Sequence, residues 1–159
     1  MENLTDSKNM AIYAAVIAQE KKGHNTTVIN FDGQSVLYDY VVITSALSTR
    51  ETKAIAKAID VVFKDFAPTR RTVQGMEAGH WILLDYGGIV IHIFAEQDRE
   101  MPVRGLRPVL KDTRDSNYRV FYDLEGLWQD VPRLDFENMP QAEKFREDYL
   151  DIQTTPPEE

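Results

Sequence analysis

Hydrophobic spacing changes several times along the chain, and each change predicts an element. Between residues 7 and 22, Ile12, Val16 and Gln19 fall on one line with Tyr13 and Ile17 beside it, the spacing of a helix with one face on a core. Asp6 or Ser7 suits its start, and Lys21, Lys22 and Gly23 suit its end. Residues 26–31 read as a short strand, and FDGQS as a turn. YDYVVITSA is β-branched and nearly continuously apolar, as in a strand buried on both faces. Ser48 and Glu51 have the spacing of a capping box. The helix they open places Ile55, Ile59, Val62, Phe63 and Phe66 on one side and stops at Pro68. RTVQG supplies a further short strand.

HWILLDYGGIVIHIF, residues 80–94, reads as strand, glycine turn and strand. With Gly87 and Gly88 as a two-residue turn, residue 86 pairs with 89 and 84 with 91. One face then collects Ile82, Leu84 and Tyr86 with Ile89, Ile91 and Ile93. The other collects Trp81, Leu83 and Asp85 with Val90, His92 and Phe94. A hairpin with one face in water alternates apolar with polar residues. This one is apolar on both faces. The isoleucine-rich face belongs to the core. The second face needs a cover, either a helix of the same chain or a partner. Tryptophan, which joins a large apolar area to a polar N–H, suits an interface anchor. His92, among isoleucines, is expected to have a ring nitrogen bonded inside the fold.

Residues 99–119 break the pattern with two prolines, one glycine, six basic and three acidic residues. This stretch reads as an excursion of net charge +3 in a chain of net charge -8. Helical spacing resumes with Phe121, Leu124, Leu127 and Trp128. From Gln129 onward nine acids face three bases, and residues 141–150 can form one short helix through Phe145 and Tyr149. The order predicts an α/β fold, a mixed sheet of about five strands flanked by helices.

Composition narrows the function. An acidic chain is a poor generic binder of nucleic acid or anionic membrane, although a local basic patch remains compatible with it. With no cysteine, thiolate metal sites and cysteine nucleophiles are excluded. The N-terminal stretch lacks the basic region of a signal peptide, and no apolar run reaches membrane-helix length, so a cytoplasmic location is expected. No phosphate-binding loop, dinucleotide fingerprint or nucleophile elbow occurs. His24, His80 and His92 are too scattered for a metal site. TSALS before a capped helix does match the entry motif of nucleotidyltransferases, where a helix N-terminus holds triphosphate. That chemistry also needs paired carboxylates for magnesium. RTVQG has none, and Asp32, Asp39 and Asp85 do not form the Asp-x-Asp pair. Enzyme activity is therefore not expected.

YDYVVITSALSTRETKAIAKAI, GHWILLDYGGIVIHIF, RE and FYDLEGLW, in this order, resemble the ribosomal silencing factor family, also called Iojap. The resemblance spans about residues 7–130, and no one segment would suffice alone. It implies a nucleotidyltransferase-like fold without the catalytic acids, and no cofactor. It implies binding to the large ribosomal subunit through universal large-subunit protein fourteen. That binding would block subunit joining and lower translation when nutrients are short. The same surface would also serve an assembly factor for the large subunit, which is the alternative reading. Trp81 matches the family's partner-binding tryptophan, Asp85 and Tyr86 match its Asp-Tyr-Gly, and Leu83 lies between them. A homodimer is left open. The chain departs from the family pattern by an insertion at 101–120 and by an acidic C-terminal tail at 131–159, so the family-like domain is expected over 1–130. Arg104, Arg107, Lys111 and Arg114 of the insertion are candidates for contact with ribosomal RNA.

Overall fold

In the computed structural model, Asp6 accepts a hydrogen bond from the Lys8 amide at 3.1 Å and caps helix α1 (Ser7–Glu20). The described residues are 6–64, 72–96, 99–100, 109–110 and 124–154. Every residue of α1 from Met10 to Ala18 is buried. A helix with one core stripe was expected; this one is covered all round. At its end Lys22, not Gly23, takes the left-handed conformation, with φ 71°. The amide of Gly23 reaches Ala18 O at 2.7 Å and that of Lys22 reaches Gln19 O at 3.1 Å, which closes the helix as a Schellman motif. Gly23 is needed for space instead, because a Cβ there would lie 2.7 Å from both Ala18 O and Thr44 Oγ1.

Strands β1 (His24–Asn30), β2 (Tyr40–Ala46), β3 (Thr72–Gln74), β4 (Trp81–Asp85) and β5 (Ile89–Ala95) form one sheet in the order β1-β2-β5-β4-β3. Only β2 and β5 run parallel; the other pairs are antiparallel, so the sheet is mixed, as the spacing predicts. β2 is buried at all seven positions, Thr44 and Ser45 included, in keeping with its nearly continuous apolar run. Helix α2 (Thr49–Phe63) follows it. Ser48 Oγ accepts from the Glu51 amide at 3.4 Å, and the Glu51 carboxylate accepts from the Leu47 amide at 3.0 Å, one residue earlier than a standard capping box. Phe66 and Pro68 lie outside the described residues.

The β4–β5 hairpin has the expected register, with Trp81 opposite Phe94 and Asp85 opposite Val90. The Tyr86 amide donates to Ile89 O at 3.0 Å, and Gly87 has φ 91°, a value that glycine tolerates best. A short ribbon of β6 (Arg99–Glu100) and β7 (Val109–Leu110) marks the start of the insertion. Arg104, Arg107, Lys111 and Arg114 lie outside the described residues.

The chain then forms one helical turn, α3 (Leu124–Leu127), and the helix α4 (Pro140–Thr154). Between them, Pro132 O accepts from the Asn30 amide at 2.8 Å and the Leu134 amide donates to Val28 O at 2.8 Å. These bonds partly occupy the outer edge of β1, which would otherwise be open to strand pairing. Ala142, Phe145 and Tyr149 of α4 are buried in the same core as α1, and the Phe145 ring stacks on Tyr13 at 4.2 Å. This explains why α1 shows no wet face.

Candidate docking surface

The two faces of the sheet have different covers. Ile82, Leu84, Ile91 and Ile93 point into the core shared with α1, α2 and α4. On the opposite face Ile29, Val41, Ile43 and Phe94 form a second, smaller core, closed from above by Leu124. The cover is incomplete. Between α3, the loop before β2 and the hairpin lies an open groove of about 480 Å³. Val41 and Val90 line it from the sheet, Trp81, Leu83 and His92 from the hairpin, and Tyr38 and Trp128 from its rim. The second face of the hairpin is thus partly covered by the chain itself and partly open.

Aromatic rings hold this face in shape. Trp81 stacks on Phe94 at 5.2 Å between centroids, and its indole N–H donates to His92 Nδ1 at 3.0 Å. The latter is the internal bond expected for His92, and it leaves the imidazole proton on Nε2. Trp128 meets Phe31 edge-on at 5.2 Å and lies 6.5 Å from His92. Tyr38 meets Phe31 edge-on at 5.1 Å. The rings are partners of one another, and this preorganises the groove at little further entropic cost. Asp85 lies at one end, where Oδ1 accepts from the Gly87 amide at 2.9 Å and fixes the turn.

Trp81, Leu83 and Asp85 are therefore brought together on one half-buried surface. Tyr86 is not with them. It lies on the core face, 5% exposed, with its hydroxyl donating to Asp60 Oδ1 at 2.8 Å and its ring edge-on to Phe63. Period-2 alternation carried this information, since Tyr86 falls in the isoleucine set. The rim residues Leu37, Tyr38, Leu127 and Trp128 are new members of the site. Nothing in their spacing tied them to the hairpin, because their approach depends on tertiary packing.

Other chemistry is sparse. Among the described residues no group of three or more histidines and carboxylates could hold a metal ion. His24 pairs with Glu96 at 2.5 Å, far along the chain from the other histidines. Among the described residues no helix is long and apolar enough to cross a membrane.

The fold and this surface define an α/β protein with a mixed five-stranded sheet and a partly open aromatic groove on one of its faces. A family model described as "Ribosomal silencing factor during starvation" matches residues 4–101, and the chain belongs to this family. The ribosomal silencing factor RsfS of Bacillus subtilis is 24% identical over 132 residues, covering 83% of this chain and 95% of that protein. The factor of the same name from Halalkalibacterium halodurans is 25% identical over 120 residues, covering 76% and 86%. A solved structure of a Chromobacterium violaceum protein shares the fold, with a TM-score of 0.56 at 23% identity over 81% of this chain and 88% of that one. The family match ends at residue 101, so α3, the Trp128 wall of the groove and α4 lie beyond it.

Proposed function

We propose that this chain is a cytoplasmic repressor of translation that docks on the large ribosomal subunit and sterically blocks subunit joining. Its contact is the groove at Trp81, Leu83 and Asp85, and its partner is universal large-subunit protein fourteen. The observation that carries this reading is an open, ring-lined apolar groove of about 480 Å³ on the face of the hairpin that a globular protein would otherwise bury. Family membership supports the ribosomal setting. An apolar partner side chain enters between Trp81 and Trp128, and a neighbouring cation of the partner meets the carboxylate of Asp85. The mechanism is steric and requires no cofactor, metal or bond-breaking step. Pull-down of purified protein fourteen by the immobilised chain tests the partner. Retention that Trp81→Ala abolishes supports the reading, and absence of retention by the unaltered chain refutes it.

A further inference from the structure

The outer side of α2 has a charge pattern that the groove does not use. Arg50, Lys53, Lys57 and Lys64 point away from the core, three of them exposed and Lys53 partly so. At 3.6 residues per turn the four fall within about 60° of one another, along about 21 Å of axis. The two acids of the helix are engaged at its flanks. Glu51 accepts from the Leu47 amide at 3.0 Å, and Asp60 accepts from the Tyr86 hydroxyl at 2.8 Å. Among the described residues none of the four cations forms an ion pair. A row of cations on one ridge, unpaired among the described residues, stands out in a chain of net charge -8.

We infer that this ridge of α2 is a second binding surface, and that it takes the phosphate backbone of RNA. Backbone recognition needs closely spaced cations on a regular scaffold and no base-reading groups, and this is what the ridge offers. Its position makes it independent of the groove. α2 buries Ile55, Ile59 and Phe63 against the core side of the sheet, while Trp81, Leu83 and Asp85 lie on the other side. Both surfaces can be occupied at once. Apart from this ridge and the basic stretch at 99–119 the chain is strongly acidic, so an RNA strand would be drawn to the ridge and repelled by the acidic surface, which would orient the docked factor. The ribosomal family makes RNA, rather than an acidic protein, the polyanion at hand.

The test uses the full chain with Arg50, Lys53, Lys57 and Lys64 all changed to Gln, which keeps helix propensity. The probes are salt-washed large ribosomal subunits and a short naked RNA duplex, titrated between about 50 and 200 mM salt. For both probes the slope of log affinity against log salt should flatten by about 3, because each phosphate that is no longer neutralised removes about 0.7–0.9 from it. A variant carrying Lys53→Arg, Lys57→Arg and Lys64→Arg should keep the original slope. Trp81→Ala should lower subunit affinity and leave the slope unchanged, so the two surfaces fail separately. A flattened slope beside a silent Trp81→Ala would sink the groove reading and leave the ridge standing. Three results overturn the ridge: unchanged slopes in the quadruple variant, no duplex binding by the unaltered chain, or a weakening confined to subunits. The last would assign the ridge to an acidic protein.

Discussion

Trp81 donates its indole N–H to Nδ1 of His92 at 3.0 Å, a diagonal contact across the β4–β5 hairpin. The bond holds the indole against Phe94 and keeps its outer side available to the groove. Trp81→Ala should therefore weaken binding to the large subunit by about 2 kcal/mol or more, as for an interface anchor. Because Trp81 is only half-buried, its stability loss should stay below the 3–5 kcal/mol or so of a buried aromatic. Calorimetric binding and thermal melting on one preparation separate the two. A large fall in melting temperature with unchanged binding would make Trp81 a packing residue.

Asp85→Asn keeps an oxygen for the Gly87 amide, so the turn should survive and the fold should melt within about 0.5 kcal/mol of the unaltered chain. Binding should lose the charge-assisted contact, with a slower association rate and weaker salt dependence. Association kinetics at two salt concentrations measure this, and an unchanged rate at low salt would remove Asp85 from the interface.

Tyr86→Phe should have the opposite signature. It deletes the hydroxyl bonded to Asp60 at 2.8 Å, on the buried face. Stability should fall by about 1 kcal/mol while subunit binding is unchanged. A binding defect at unchanged stability would place Tyr86 in the contact after all.

α4 should be sensitive to alkali. Burial, followed by the nearby Asp148 and Asp6, raises the pKa of Tyr13 above 10.0. Burial, followed by Glu20, does the same for Tyr149. The folded state holds these protons more tightly than the unfolded chain does. Their contribution is complete below pH 10 and is lost as pH rises through the higher folded values. Denaturant midpoints measured from pH 8 to 11 should decline only at the alkaline end. Phe145→Ala, which removes the ring stacked on Tyr13, should cost about 3–5 kcal/mol at neutral pH. A midpoint that rises between pH 10 and 11 would contradict the assignment.

The hairpin was legible because alternation of period 2 and a Gly-Gly turn leave one sensible register, and Trp81 opposite Phe94 follows from it. The helices α1 and α2 were legible through their caps and apolar spacing. The burial of α1 on all sides was not, because it depends on Phe145 and Tyr149 arriving from more than a hundred residues away. Lys22 rather than Gly23 takes the left-handed position, and Gly23 is required instead by the closeness of Ala18 and Thr44, a tertiary contact that no residue preference encodes. Trp81, Leu83 and Asp85 could be grouped from the sequence, whereas the rim of Tyr38 and Trp128 could not. Tyr86 was attached to the group by a family motif, although alternation places it on the other face.

The most direct test is a sucrose-gradient profile of the tagged chain in a cell extract. A repressor that docks through the Trp81 groove should co-migrate with free large subunits and be absent from intact ribosomes, and Trp81→Ala should return it to the top of the gradient. Unaltered protein that stays at the top, or that travels with intact ribosomes, would contradict this function.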